Sequence, residues 1–290
     1  MDSAGPYRRI GIVGTGRVAG ALALALMRHS TAPLMIWGRD PVRRDALGAA
    51  TTGSQSAHDL AAIAQQCDLI LIAVSDDAIA GVVTDLAICL PDGAAPFILH
   101  LSGRSGAALL APLQQQGALT AAVHPAMTFT GDPAQEVARM TGATFVITAD
   151  NDPAIAAARD LVARLGGVAE QVGEGQRALY HAALCHAANH LVTLIAGSRD
   201  ALAAAGIADP AALLGPLVRA AMDNSLDRGM AALSGPLLRG DGETIGRHLA
   251  ALRADQPHLL PAYGAMARAT LDALDEHGQS VSLSLRTMLD

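Results

Sequence analysis

A glycine-rich segment near the N-terminus has the residue types of a phosphate-binding turn. The apolar run Ile10–Val13 leads into it, an alanine-rich stretch follows it, and its members are Gly14, Thr15, Gly16, Arg17 and Val18. Glycine at the first position permits a tight turn, and glycine at the third lets the backbone approach a pyrophosphate. The N–H groups of a helix N-terminus suit that negative charge. We therefore expect these five residues to bind a dinucleotide.

The next apolar run indicates which dinucleotide this is. The predicted strand Leu34–Trp37 ends at Gly38 and Arg39, where such a turn meets the adenosine ribose. An acidic residue there favours NAD, whereas arginine suits the 2′-phosphate of NADP. Asp40 leaves an alternative open, because its carboxylate can accept from the ribose or cap a helix that starts at Pro41. The pattern favours NADP, in its reduced form NADPH, as the cofactor.

Two further predicted strands, Leu69–Val74 and Phe97–Leu101, each run into a short polar loop. Ligands of open parallel sheets bind beyond the carboxyl ends of the strands. We expect four residues at these ends to contact the ribose and the nicotinamide: Val74, Ser75, Ser102 and Gly103.

A histidine follows another predicted strand, Thr120–Val123. His124 precedes Pro125, and at a strand end it can bind and orient a substrate or close the cofactor cleft. The alternative is a structural histidine, satisfied by hydrogen bonds in the turn before a rigid proline. We count His124 as a candidate substrate-binding residue.

The predicted helix Gly175–Ala205 holds the densest polar cluster of the chain: Arg177, Tyr180, His181, His186, Asn189, His190 and Thr193. At helical spacing one stripe, which is expected to face a substrate, contains His181, Cys185, Asn189 and Thr193. A metal site at His186 and His190 is the rival interpretation. That pair lacks the glutamate of the zincin helix and a clear third ligand, so no metal is predicted. A solvated or dimer-facing stripe also remains open.

A polar loop between later helices, Leu233–Asp241, offers a second substrate contact. Arg239 can pair with a carboxylate, Ser234 can donate a hydrogen bond, and Asp241 is expected to cap the following helix.

Composition limits the partners. The net charge of -7 argues against nucleic acid, and no uncharged apolar run is long enough for a membrane span. The N-terminal residues lack the apolar core of a signal peptide, and the three cysteines form no CxxC pair, so a cytoplasmic location is expected. All 20 basic residues are arginine, and therefore no lysine is available as a general acid.

The order of apolar runs predicts an α/β fold. Seven strands are expected, near Arg9–Val13, Leu34–Trp37, Leu69–Val74, Phe97–Leu101, Thr120–Val123, Thr144–Thr148 and Glu170–Val172, with helices between them. This alternation is typical of a doubly wound parallel sheet, the Rossmann fold. After residue 172 only alanine- and leucine-rich helices are predicted. We therefore expect an NAD(P)-binding domain over residues 1–172 and an all-helical substrate and dimerisation domain over residues 173–290.

Several of these segments occur together in one known family. They are the glycine turn, Leu101–Gly103, His124-Pro125, Ala178–Ala183, Asn189, and Ser234–Pro236 with Arg239–Asp241. In this order they resemble the Rossmann-like oxidoreductases that carry a C-terminal domain of unknown function, number 2520. That family is similar in architecture to 6-phosphogluconate dehydrogenase-like enzymes, including ketopantoate reductase and pyrroline-5-carboxylate reductase. The resemblance implies NADP(H)-dependent reduction of a small molecule and a homodimer formed through the helical domain.

The chain departs from this family at one position. Relatives tend to carry lysine where Arg177 stands, and an arginine can polarise a carbonyl but rarely gives up a proton. His181 is then the expected proton donor, and Asn189 is expected to orient the carbonyl. The resulting hypothesis is hydride transfer from NADPH to a 2-keto acid such as ketopantoate. Reduction of a C=N bond, or NADP binding without chemistry, are the alternatives.

Overall fold

The computed structural model describes residues 6–280 and 282–290. The chain forms two compact units, the first ending at Cys185 and the second running over His186–Asp290. Within the described ranges, no helix combines the length and the apolar composition of a membrane span. Each unit is described in turn.

The first unit is built on an eight-stranded sheet. Its strands are β1 (Ile10–Val13), β2 (Leu34–Trp37), β3 (Ser54–Ser56), β4 (Leu69–Ile72), β5 (Phe97–His100), β6 (Leu119–Pro125), β7 (Thr144–Thr148) and β8 (Val168–Gln171). The strand order is β3-β2-β1-β4-β5-β6-β7-β8, and all neighbours are parallel except β6 and β7, which pair antiparallel. The predicted Rossmann-type sheet is confirmed, with two strands, β7 and β8, reversed relative to the others and one additional strand, β3.

Helices cover both faces of this sheet. They are α1 (Arg17–Leu26), α2 (Pro41–Ala50), α3 (Leu60–Gln66), α4 (Asp76–Cys89), α5 (Ala111–Gln114), α6 (Pro133–Met140), α7 (Asp152–Arg164) and α8 (Arg177–Leu184). Successive side chains of a strand alternate between the faces, so Ile10 and Ile12 join one apolar cluster while Val13 joins the other. Strands β1 and β4 are buried throughout, which explains their continuous apolar sequences.

Side-chain caps begin many of the helices. Asp40 caps α2, Asp132 caps α6 and Asn151 caps α7, each accepting hydrogen bonds from backbone N–H groups of the first turn. Helix α1 differs, because its N-cap is Gly16 and no side chain accepts from its first turn. The N–H groups at the start of α1 are thus free of side-chain partners.

The second unit is all-helical, as predicted. It contains α9 (His190–Ala204), α10 (Pro210–Arg228), α11 (Gly242–Asp255), α12 (Leu260–Glu276) and α13 (Leu283–Leu289). Its small apolar core is formed by Ile245, Ala267, Leu271, Leu274, Leu285 and Leu289. The predicted boundary after residue 172 falls where strands give way to helices, and α8 is grouped with the first unit.

Candidate active site

The glycine turn after β1 has the geometry of a phosphate-binding turn. Gly14 has a φ of +132°, and a Cβ atom there would lie 2.2 Å from the carbonyl oxygen of Ala73, so no other residue fits without strain. At Gly16 a Cβ atom would meet nothing within 4 Å. The space beside Gly16 and the uncapped N-terminus of α1 therefore suit a ligand phosphate.

A cavity of about 260 Å³ lies against this turn. Seven of the predicted cofactor residues line it: Gly14, Thr15, Gly16, Gly38, Arg39, Val74 and Ser75. The other four, Arg17, Val18, Ser102 and Gly103, are not among its lining residues. The Nη1 atom of Arg17 instead donates to the carbonyl oxygen of Phe129, at 3.3 Å.

The charges at the tip of β2 are divided between a helix cap and two arginines. The Oδ1 atom of Asp40 accepts from the backbone nitrogens of Val42 and Arg43, at 2.9 and 3.3 Å, so this carboxylate serves α2. Arg43 is exposed and lies 3.5 Å from the other oxygen of Asp40. Arg39 makes no hydrogen bond or ion pair with any residue that the structure describes. The cavity is therefore lined by Arg39 and Arg43 next to a carboxylate, Asp40, that already caps α2.

A buried histidine at the end of β5, His100, makes hydrogen bonds to the loop that follows this strand. The Nδ1 atom of His100 accepts from the backbone N–H of Ser102 at 3.2 Å, and Nε2 donates to the carbonyl oxygen of Gly106 at 2.9 Å. Burial lowers the pKa of His100, which keeps the ring neutral and able to make both bonds. The sequence carries no signal for this role of His100, because its partners are backbone atoms of a loop.

Arg177 holds the same loop from the side. Its Nε atom donates to the carbonyl of Ser105 and its Nη2 atom to that of Ser102, at 3.0 and 2.7 Å. Its Nη1 atom donates to the carbonyl of Val146 and to Oγ1 of Thr148, at 3.1 and 3.3 Å. The side chain is fully buried. Because all three guanidinium nitrogens donate to protein acceptors, Arg177 anchors this loop to β7.

Two imidazoles converge above Gly103. A Cβ atom at Gly103 would lie 2.9 Å from Nε2 of His124 and 3.0 Å from Nε2 of His181. The two rings are nearly perpendicular, at 86°, with centroids 6.0 Å apart. The structure therefore brings together three residues that the sequence placed far apart, and Gly103 leaves the room between them.

The two imidazoles have different surroundings. Burial lowers the pKa of His124 to about 4, and the charges of Arg177 and His181 act in the same direction. His124 is thus neutral at physiological pH, and its Nδ1 atom lies 2.8 Å from the hydroxyl of Tyr180. His181 is half-buried and has the Sγ atom of Cys185 at 3.8 Å from its Nε2. Tyr180 was part of the polar cluster but was not predicted as a site residue.

A π-helical turn interrupts the predicted helix Gly175–Ala205. It spans Cys185–Asn189, between α8 and α9. Hydrogen bonds of the i→i+5 type add one residue to the turn, so the predicted stripe does not keep its phase beyond Cys185. His186 and His190 place their Nδ1 atoms 3.1 Å apart, and the described residues contain no group of three or more side chains that could hold a metal ion.

Three predicted site residues lie in the second unit. Asn189 ends the π-helical turn, and Ser234 and Arg239 lie in the loop before α11. Asp241 caps α11 by accepting from the backbone nitrogen of Thr244 at 3.0 Å, as the sequence predicted. The roles of Asn189, Ser234 and Arg239 toward a substrate stay predictions.

Family models match both parts of the chain. Residues 2–125 match a Rossmann-like domain, and residues 143–270 match the domain of unknown function DUF2520. The chain is a Rossmann-like protein with a DUF2520 domain. No curated protein matches this DUF2520 chain.

Solved structures share the fold of the DUF2520 chain. A protein assigned as an NADP oxidoreductase from Bacteroides fragilis is 21% identical, with a TM-score of 0.74 over 91% of this chain and 97% of its own. An imine reductase from Myxococcus stipitatus, solved with NADP+, is 17% identical, with a TM-score of 0.69 over 97% and 99%. A reductive aminase from Aspergillus terreus, solved with NADPH4, cyclohexanone and allyl amine, is 17% identical, with a TM-score of 0.68 over 97% and 98%. At sequence identities this low, the similarity shows a shared fold only.

Proposed function

We propose that this protein is an NADPH-dependent reductase that acts on a small 2-keto acid. The convergence of His124 and His181 above Gly103 carries the proposal. Both the loop after β5 and the end of β6 lie at the carboxyl edge of the sheet, where the glycine turn after β1 also lies. A dinucleotide at that turn extends along this edge in open α/β folds. The two imidazoles are therefore suitably located for chemistry on a carbonyl group.

The residues around the cavity fit NADP. Gly16 and the uncapped start of α1 suit the pyrophosphate, and Arg39 and Arg43 suit a 2′-phosphate. Because Asp40 caps α2, its role as a ribose acceptor is disfavoured. The names of the structural relatives, an NADP oxidoreductase and enzymes solved with NADP+ or NADPH4, support the same cofactor. When bound, NADPH supplies the hydride.

The two histidines take separate roles. Neighbouring titratable groups with unlike environments divide the work of acid and hydrogen-bond donor. His124 is neutral and donates a hydrogen bond to the substrate oxygen, whereas the half-buried His181 gives its proton to the alkoxide that forms. From the family resemblance, we also assign substrate binding to three residues of the helical domain, Asn189, Ser234 and Arg239. Substituting each of them tests this assignment.

A homodimer formed through the helical domain belongs to the same proposal. The second unit exposes large apolar side chains on α9 and α10, among them Val192, Leu194, Leu213, Leu217 and Leu226. It also contains an apolar cavity of about 740 Å³. Exposed apolar surface of this kind is typical of association sites. We expect light scattering to give the mass of a dimer, and Leu217→Glu to shift it towards the monomer.

Reduction of a C=N bond is the second candidate, favoured by the fold shared with an imine reductase and a reductive aminase. The decisive experiment compares 2-keto acids with cyclic imines at fixed NADPH, following NADPH absorbance. Oxidation that depends on the keto acid supports the proposal, and preference for imines supports the second candidate. Tight NADPH binding without oxidation by either class would instead support a sensor that does no chemistry.

A further inference from the structure

Tyr180 contacts the side of His124 that faces away from Gly103. Its hydroxyl lies 2.8 Å from Nδ1, and the two rings meet edge to face at 81°. The Nε2 atom of the same imidazole points to the space above Gly103, and no residue that the structure describes makes a hydrogen bond with it. One ring nitrogen is thus engaged by the protein, and the other is available to a substrate.

The direction of this hydrogen bond follows from the chemistry of its partners. A phenol O–H is a stronger donor than an imidazole N–H, and an imidazole nitrogen is a stronger acceptor than a phenol oxygen. Burial raises the pKa of Tyr180, so the hydroxyl keeps its proton, and burial also keeps His124 neutral. A neutral imidazole has one N–H. If Nδ1 accepts from Tyr180, that N–H is at Nε2.

Tyr180 is itself held in place. The guanidinium of Arg177 lies over its ring, 5.5 Å from the ring centroid. The guanidinium is fixed in turn by its bonds to Ser102, Ser105, Val146 and Thr148. The hydroxyl therefore stays directed at Nδ1 of His124.

We propose that Tyr180 fixes the tautomer of His124 as an Nε2–H donor, and that this donor makes the site select a carbonyl oxygen over a protonated imine nitrogen. A carbonyl oxygen has lone pairs that accept from Nε2–H. A protonated imine has none on its nitrogen, so donor would face donor and both would lose their bonds to water. Tyr180 is a positioning residue here, because it acts on the substrate through His124. This inference rests on the proposed function.

The first test reads the tautomer directly and needs no activity. Nitrogen-15 NMR of the full chain at neutral pH should show His124 with Nε2 protonated and Nδ1 bare, the His124→Asn variant identifying the signals. In Tyr180→Phe the population with Nδ1 protonated should rise. An Nδ1-protonated His124 in the wild type overturns the proposal even if Tyr180→Phe does not fold. Unchanged populations in a folded Tyr180→Phe also overturn it.

The second test reads selectivity. With NADPH fixed, kcat/KM is measured for 2-oxopentanoate and for 1-pyrroline-2-carboxylate, which have equal carbon number and one carboxylate each. In Tyr180→Phe the ratio of the carbonyl to the imine value should fall about 10- to 100-fold. Tyr263→Phe is the matched control, because its hydroxyl makes the same contact to Nδ1 of His248 at 2.9 Å. This control should keep the wild-type ratio.

The two tests separate the two proposals. If the wild type oxidises NADPH with neither compound, the proposed function fails while NMR still decides the tautomer. If the wild type is active and Tyr180→Phe changes the tautomer but not the ratio, the selectivity claim is overturned.

Discussion

The Nη2 atom of Arg177 donates a hydrogen bond of 2.7 Å to the carbonyl oxygen of Ser102. This contact joins helix α8, which carries Tyr180 and His181, to the loop that carries Gly103. The relative placement of the two imidazoles and the glycine between them therefore depends on a guanidinium that touches none of them with a hydrogen bond.

Arg177→Lys should destabilise the first unit and lower activity. Lysine keeps the charge, but its single ammonium group cannot donate at once to the loop and to the strand, as the planar guanidinium does with its several N–H groups. Buried acceptors left without donors cost about 1–3 kcal/mol each, so urea unfolding should show a loss of at least about 2 kcal/mol. Arg247→Lys, at an exposed ion pair with Glu243, is the control and should leave the unfolding midpoint unchanged. Equal midpoints for both variants would contradict this role of Arg177.

Substitution of the two glycines of the turn should have different effects, one on stability and one on NADPH binding. Gly14→Ala places a methyl group against the carbonyl of Ala73 and strains a positive φ, so the free energy of unfolding should fall by at least about 2 kcal/mol. Gly16→Ala meets open space and should fold normally. Its methyl group would instead occupy room meant for the pyrophosphate, so the Kd for NADPH should rise about tenfold or more. Urea unfolding and fluorescence titration measure the two effects, and normal NADPH affinity in Gly16→Ala would argue against the phosphate site.

Arg39→Ala should weaken NADPH binding much more than NADH binding. A hydrogen bond to a charged group contributes about 1.5–3 kcal/mol, so the Kd for NADPH should rise about tenfold or more while that for NADH changes little. Arg44→Ala is the control, since Arg44 pairs with Asp45 and does not line the cavity, so the ratio of the two constants should stay unchanged. If Arg39→Ala weakens both cofactors equally, the 2′-phosphate assignment is wrong.

Stability should fall with acidification because of His124. Its pKa is about 4 in the folded protein against an ordinary value of 6.5. Between these values the unfolded chain binds more protons, so the free energy of unfolding is highest above pH 6.5 and falls as the pH drops towards 4. The contribution is on the order of 3 kcal/mol. In urea unfolding across this range, the free energy of unfolding should depend less steeply on pH in His124→Asn than in the wild type. Part of the pH dependence should persist, because burial also lowers the pKa of His100. Identical slopes in wild type and variant would rule out a buried neutral His124.

Much of the sheet could be predicted because its signals are local. Buried parallel strands such as β1 and β4 are continuous apolar runs, and a glycine turn between strand and helix has few alternatives. Strand β3 was missed because Ser54–Ser56 is short and polar. The reversed direction of β7 and β8 was not predicted, because the residue pattern of a strand does not distinguish a parallel from an antiparallel pair.

The site could be predicted only in part, because its contacts join distant segments. His124, Gly103 and His181 were identified one by one from strand ends and a polar helix, but their convergence depends on the packing of α8. The anchoring role of Arg177 was not predicted, because its acceptors include backbone carbonyls far away in sequence. The π-helical turn at Cys185–Asn189 was not predicted either, because the prediction assumed regular α-helical spacing.

The most direct test of the central claim is the turnover of His181→Ala with NADPH and a 2-keto acid, measured together with the Kd for NADPH. We expect the wild type to oxidise NADPH, kcat to fall about 10²- to 10⁴-fold in the variant, and the Kd to stay unchanged. Turnover equal to that of the wild type would contradict His181 as the proton donor.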